Sequence, residues 1–582
     1  MNLVNDIQAE IEQVIKKLWS GIELPEVIVT APPNPEFGDY SSPVALTLAK
    51  MLGEKPENIA NQIKGNLKKI HLVTEVTVTT PGFINFLIDY TKLATTLLKS
   101  KPMTTQKKKA NLVIEHTSVN PNKAAHIGHL RNACLGDSLA KLMIGLGNKV
   151  EVQNYIDDLG VQVADSVVAF ETFGDVQDNT PVDKWFWKIY ADIAKKYEEE
   201  PELKKRREEV LHEMEKGESE VAKNIVERIV KAHLHTFARF DINYDVLAYE
   251  HDIMKNYLWD DVFETLKKKK LIHQATSGEH KGAWVVEYGD TERENKILVR
   301  SNGLPTYTAK DIAYQLWKFG QVKMKGYKRK LTSIDQVINV IDERQGYPQA
   351  VIKHILEGLN YKKEAQNSIH LSYGVVKLSE KSAKALDNSV AQDGVASMSG
   401  RSGIGVMVND LLDTAIAMQI KNHNTKEDVA RQIAVGSIRY YMLKTRPQRE
   451  IVFDFDDALS TDGNTGIYLQ YAYARANNIL AKAGKSTKLA LPDEMSPSEK
   501  ALLKALSELD VYLDNAQREY DPSLLCDYAY LLASTFAKFY ELNPVLKSEG
   551  SQKSFRLHLV TKYHKSLGQI LSYLGVPTLE KI

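Results

Sequence analysis

The opening run, MNLVNDIQAEIEQVIKKLW, spaces its apolar residues between acids, amides and lysines at helical intervals. This predicts an amphipathic helix to about Ser20, not a signal peptide. VIVTAPP then reads as a strand ending at Pro32-Pro33. The stretch 41–70 holds two helical patterns broken by Gly53 and Pro56. VTEVTVTTPGFINFLID is rich in β-branched residues and predicts strands. Residues 1–100 therefore read as a small α/β domain, and KPMTTQKKKA (101–110) as a polar, basic linker.

The pattern then changes to alternating strand and helix. ANLVIEHT predicts a strand, a helix starts at about Gly128, and NKVEVQNYID predicts the next strand. This order argues for a parallel sheet. At about 165–260 a charged helical stretch interrupts it and reads as an insertion with solvated faces. Alternation resumes with GAWVVEY, ILVRS, TYTAKDIAYQLWKF, VINVID and SIHLSYGVVKL. From about 405 the chain is almost entirely helix-patterned, with a Ser/Lys/Pro-rich connection at 484–498. The domains expected are 1–100, 101–455 and 456–582.

With 582 residues and 65.6 kDa, the chain is long enough for about three or four domains. Its two cysteines, Cys134 and Cys526, lie far apart and exclude a disulfide scaffold or an all-cysteine zinc site. No zinc and a cytoplasmic, reducing setting are expected. No stretch approaches the ~18 apolar residues of a membrane span, so no membrane partner is expected. Lys+Arg and Asp+Glu are both 75. A zero net charge decides nothing about nucleic acid, because binding needs a basic patch rather than a basic total.

The sharpest local signal is His126-Ile127-Gly128-His129, between an apolar strand and a helix. A helix N-terminus offers free N–H groups and a positive dipole end to a phosphate. Two histidines add donors, and Gly128 removes a side chain where a flat base must approach the backbone. Charge building on the α-phosphate of ATP would be stabilised there. Taken alone, the four residues could equally be a chance arrangement at a helix cap.

Their context resembles the class I aminoacyl-tRNA synthetases, and within them the arginyl-tRNA synthetase family. The run from Glu115 to Arg131 (EHTSVNPNKAAHIGHLR) is similar to that family's ATP and arginine segment. Asn154 to Gln162 (NYIDDLGVQ) resembles its D-x-G-x-Q element, and Thr306 to Tyr314 (TYTAKDIAY) its Y-x-x-x-D-I-A-Y element. Tyr468 to Arg475 resembles the start of its anticodon-binding domain; PNPEFGDY (33–40) and PGFIN (81–85) resemble its N-terminal domain. Order and spacing agree over essentially the whole chain. The resemblance implies a Rossmann-like α/β catalytic core with a helical insertion, a small α/β N-terminal domain and an all-α C-terminal anticodon-binding domain.

It also implies an arginine pocket of Glu115, Asn120, His126, Tyr307, Asp311 and Gln345. The residue types suit a planar cation with five donors, which wants carboxylates and an aromatic face. Tyr307 and Asp311 are four apart and share one face of a helix. His126, Gly128 and His129 would hold ATP, with Mg²⁺. The family's second motif, KMSKS, is degraded here to Ser397-Met398-Ser399-Gly400-Arg401. Met398 and Ser399 would still touch ATP, and only Arg401 keeps a charge. Lys123, three residues before His126, would replace the missing ammonium. Phe83 and Asn85 would read the D-loop of tRNA(Arg), an aromatic beside an amide. The segment from Lys538, with seven Lys/Arg against three Asp/Glu and Tyr540, Tyr563 and Tyr573, suits an anticodon loop. The runs 107–109, 267–270 and 323–330 are candidate phosphate contacts. A monomer is expected.

Rival readings are weaker. A cysteine enzyme would need more cysteines for its zinc, and a glutamate pocket would want Arg or Lys where Glu115 and Asp311 stand. A lysine pocket is not excluded by charge alone. A catalytically dead tRNA-binding paralogue is motivated by the eroded KMSKS segment, and a small HxGH nucleotidyltransferase would leave the terminal domains without purpose.

Overall fold

The structure is a computed structural model that describes residues 3–99, 109–176, 179–288, 295–386, 395–396, 405–484 and 488–580. At its centre five parallel strands lie in the order Ser368–Tyr373, Gln336–Asp342, Asn111–Glu115, Lys149–Ile156 and Val246–Tyr249. The first strand in sequence, Asn111–Glu115, is central. The chain adds two strands on one side of it and then two on the other. The connection therefore reverses between Asn111–Glu115 and Gln336–Asp342, the crevice where open α/β sheets bind ligands. Leu112, Val113 and Ile114 are buried, as in a sheet covered on both faces.

The helix Ile127–Gly145 follows the central strand. Fourteen of its residues are buried, Arg131, Asn132, Asp137 and Ser138 among them. It is an interior helix rather than a surface one. It packs on the sheet and also on the helices Glu427–Leu443 and Gly550–Leu574.

The insertion is four helices, Val161–Phe173, Val182–Glu199, Glu202–Glu215 and Glu220–Ala238, around their own core of Val163, Val167, Phe186, Ile189, Ile193 and Ile229. It closes earlier than expected, because Val246–Tyr249 rejoins the main sheet as its edge strand. Four residues are too few for a periodic signal. GAWVVEY and ILVRS do form strands, Trp284–Val286 and Lys296–Val299, but in a separate antiparallel sheet with His273–Gln274. VIVTAPP is not a strand; Thr30 alone bridges to Ser41. Pro25, Pro32 and Pro33 remove ladder donors around it.

The N-terminal region is a three-stranded antiparallel sheet, Tyr40–Ser42, Phe83–Ile88 and Val73–Thr79, with helices Leu3–Leu18, Val44–Leu52 and Pro56–Asn66. Beyond 405 the described chain is helical except for Ile451–Phe453, which pairs in parallel with Val376–Ser379. Its last five helices are Gly466–Ala483, Pro497–Ser507, Leu509–Glu519, Ser523–Leu542 and Gly550–Leu574.

Candidate active site

The turn after Glu115 is unusual. Thr117 and Ser118 have φ of 78° and 42°, a region β-branched residues rarely adopt. Two amides hold it: Asn132 Oδ1 accepts from Thr117 N at 2.6 Å and Asn154 Oδ1 from Ser118 N at 2.9 Å. The chain then reaches His126, the N-cap of the interior helix. The backbone N–H of His126 donates to His129 Nδ1 at 3.1 Å. That leaves the proton of a neutral His129 on Nε2, ready to donate. The two rings stack at 3.6 Å. Burial pulls His126 down to about 3, with the Lys123 ammonium adding to the effect. Burial, then His126 and Lys123, holds His129 well below the usual imidazole range. Both are neutral donors at physiological pH. Gly128 has a local reason as well: a Cβ there would lie 3.1 Å from the His126 ring. Lys123 Nζ sits 5.5 Å from the Trp187 ring centre, and His126 meets the same ring edge-on. The Lys123 carbonyl accepts from His233 Nε2 at 2.7 Å, which ties the loop to the insertion.

Beside this lies an acid-rich cleft. Glu115 is buried at the carboxyl end of its strand and pairs with Lys318 Nζ at 2.5 Å. Lys318 Nζ also donates to Asn339 Oδ1 at 2.8 Å. Tyr307 and Asp311 lie on the helix Tyr307–Lys318, as their spacing predicts, and Tyr307 is 49% exposed. Burial and the charge of Glu115 push Asp311 up to about 7. Asn120 Nδ2 donates to Gln162 Oε1 at 3.3 Å. Gln345 is exposed in a short turn after Asp342. Three residues not expected from sequence complete the cleft. Glu250 is fully buried, paired with Lys310 and accepting from Tyr155 Oη at 2.8 Å. Asp157 holds Oδ1 buried without a hydrogen-bond partner. Lys310 and Asp157 lie inside the two quoted runs, so those runs were the available signal; Glu250 had none.

Three family models match along the chain: Arginyl tRNA synthetase N terminal domain over 5–88, tRNA synthetases class I (R), catalytic domain over 92–455, and DALR anticodon binding domain over 469–582. The chain belongs to the arginyl-tRNA synthetase family. Among its curated relatives, the arginine–tRNA ligase of Thermococcus sibiricus is 33% identical, covering 99% of each chain. That of Deinococcus radiodurans is 32% identical, again covering 99% of each. The solved arginyl-tRNA synthetase of Thermus thermophilus superposes with a TM-score of 0.86 at 31% identity, covering 100% of both chains.

Other expectations for an arginyl-tRNA synthetase fall elsewhere in the fold. Met398, Ser399 and Arg401 lie outside the described residues. Phe83 is half-buried at the start of its strand. Asn85 is 1% exposed, and its amide donates to Thr79 Oγ1 at 2.9 Å. As folded, it faces its own sheet rather than solvent. Of the candidate anticodon tyrosines, Tyr563 is fully buried and Tyr573 is 7% exposed, whereas Tyr540 is 42% exposed with Arg475 over its ring. Within the run 323–330, Arg329 is committed to Glu151 at 2.7 Å and Lys330 to Asp245 at 3.2 Å. No helix among the described residues is long and apolar enough to cross a membrane.

Proposed function

We propose that the chain activates L-arginine with ATP and transfers it to the 3′ end of tRNA(Arg), with the residues above in defined roles. The observation that carries this is an acid-rich cleft next to two neutral stacked histidines at a helix N-terminus. The first chemical step is in-line attack of the arginine carboxylate on the α-phosphate, with pyrophosphate leaving. Catalysis is positioning and charge stabilisation, with no covalent enzyme intermediate. His129 donates from Nε2, His126 and the helix N-terminal N–H groups complete the phosphate cradle, and Lys123 supplies the ammonium lost from KMSKS. Arg401, Met398 and Ser399, from the degraded KMSKS segment, act on ATP as well. Glu115, Asn120, Tyr307, Asp311 and Gln345 line the arginine side. Glu115 reaches that side already neutralised by Lys318, so Asp311 is the stronger cation ligand of the two.

Among the described residues no group of three or more His, Cys, Asp or Glu could hold a metal. Mg²⁺ fits this site as the ion carried on the phosphates of ATP, where it neutralises charge. Residues 1–100 would contact the outer corner of tRNA through Phe83, and 456–582 would take the anticodon. One chain carries every part, so the enzyme works as a monomer in the cytoplasm, where its tRNA is.

The test is charging of total tRNA with each of the twenty amino acids, and ATP–pyrophosphate exchange with and without tRNA. Arginine alone is charged, and exchange depends on tRNA, as is usual in this family. Charging of another amino acid overturns the pocket assignment. Tight tRNA binding without charging favours the second reading, a binding paralogue, which the degraded KMSKS segment motivates.

A further inference from the structure

Two acids stand side by side at the carboxyl end of the strand Lys149–Ile156, and they are treated differently. Asp158 is occupied: its carboxylate pairs with His251 Nδ1 and accepts from His251 N at 3.0 Å. Asp157 has no such partner. Its Oδ1 is buried without a hydrogen bond, and no ion pair reaches it among the described residues. Burying a carboxylate without compensation is costly, so a fold that keeps one has a use for it.

The surroundings say what that use is. Four acids converge on this cleft: Glu115, Asp157, Glu250 and Asp311. Two carry a built-in cation, Glu115 on Lys318 and Glu250 on Lys310. Asp157 and Asp311 do not. L-Arginine brings two cationic groups, a guanidinium and an α-ammonium, which matches the two uncompensated acids. The space is also prepared. Gly160 lacks the side chain whose Cβ would lie 3.1 Å from Asp157 Oδ1 and 3.1 Å from Tyr307 Oη. Glycine there keeps the gap between carboxylate and phenol open, and both groups edge it.

Resting on the arginine reading above, we propose that Asp157 is a specificity-determining residue that takes one of the two cationic groups of arginine, leaving the other to Asp311. Burial and the neighbouring Glu250 charge hold the Asp157 carboxyl well above the usual range in the free enzyme. Lys310 opposes this, whereas Asp158 and Asp311 reinforce it. The arriving cation replaces the missing counter-charge.

The test is Asp157→Asn, which keeps size and removes charge, assayed by tRNA-dependent ATP–pyrophosphate exchange. Arginine KM should rise at least about tenfold, with kcat and ATP KM within about threefold, as expected for lost cation binding in a buried site. Two competitive inhibitors then locate the effect. Citrulline keeps the α-ammonium but has an uncharged ureido group; 5-guanidinopentanoate keeps the guanidinium but lacks the α-amino group. The inhibitor lacking the cation that Asp157 serves should bind wild type and variant alike, and the other should weaken with arginine. An unchanged arginine KM overturns the proposal. So does equal weakening of arginine and both inhibitors, which would mark a packing role. If Asp157→Asn does not fold, Asp157→Ser carries the same comparison. A wild-type enzyme that does not use arginine at all would instead refute the functional reading on which this one rests.

Discussion

At the scale of single residues, the site is organised by which charges are compensated before substrate arrives. Asp311 is half-buried, close to Glu115 and Glu250, and pushed up to about 7, chiefly by burial. The sign follows directly. Its folded value lies above the unfolded one, so its contribution to stability is full below about pH 4 and is lost as pH rises through about 7. Arginine binding runs the other way, because a cation favours the ionised carboxylate. Arginine KM should therefore fall about tenfold between about pH 6 and pH 8, as Asp311 goes from mostly protonated to mostly ionised. In Asp311→Asn the part of the slope centred near pH 7 should be lost while the KM itself rises; any slope left belongs to Asp157, whose carboxyl burial also holds above the usual range. A wild-type KM that is flat over this range would show that Asp311 does not meet the cation. The histidines contribute nothing to that slope, since burial keeps both neutral throughout. This level was only half legible in the sequence. His126, Gly128, His129 and Lys123 are neighbours along the chain, and so are Tyr307 and Asp311 on one helix. The pairing of Glu115 with Lys318 joins residues 203 apart, and no local pattern reports it.

At the scale of elements, the helix Ile127–Gly145 is held from its far side by buried charge. Arg439 is fully buried on the helix Glu427–Leu443. Its Nε donates to the Leu574 carbonyl at 3.0 Å, its Nη1 to the Phe240 carbonyl at 2.8 Å, and its Nη2 pairs with Asp137. One guanidinium thus ties the helix Ile127–Gly145 to the helix Gly550–Leu574 and to the end of the insertion. A buried pair of this kind adds less stability than its Coulomb energy suggests, and removing Arg439 leaves Asp137 with Lys141 alone, at 2.8 Å. Arg439→Met should cost about 3 kcal/mol in denaturant unfolding, and adding Asp137→Leu should recover part of it, since Lys141 keeps Asp241 at 3.1 Å. A single substitution costing under about 1 kcal/mol would show that packing, not the pair, fixes the helix. Elements with long periodicity are legible in the sequence. Short strands such as Val246–Tyr249 are not, and a β-branched run flanked by prolines, as in VIVTAPP, suggests a strand that does not form.

At the scale of the whole molecule, the two ends of the chain meet. Tyr40 Oη donates to Glu508 Oε1 at 3.0 Å, across 468 residues of sequence. Lys504 Nζ donates to the Asp39 carbonyl at 2.5 Å and lies 4.5 Å from the Tyr40 ring centre. Tyr90 Oη also reaches Asp39, and the helix Tyr90–Lys99 packs against Pro497–Ser507. Burial holds the Glu508 carboxyl above its usual range, so this contact is a desolvated polar junction rather than a surface touch. The N-terminal domain is therefore more than a module on a linker; its angle to the C-terminal helices is set. On the function proposed above, both regions grip one rigid tRNA, and they gain affinity together only if that angle matches the distance between their sites. Glu508→Ala removes the acceptor of the Tyr40 hydroxyl and the negative charge beside the Lys504 ammonium, which keeps its bond to the Asp39 carbonyl, at about 1–3 kcal/mol. The loss falls on the junction, which shares no residue with the acid-rich cleft. Glu508→Ala should raise the KM for tRNA about fivefold or more in aminoacylation and leave the arginine and ATP KM values at the wild-type level. If tRNA KM does not move, the two domains bind tRNA independently and the junction serves only to bury surface. If arginine KM moves with it, the end-to-end contact is felt through the helix Gly550–Leu574, which packs directly on the helix that His126 opens.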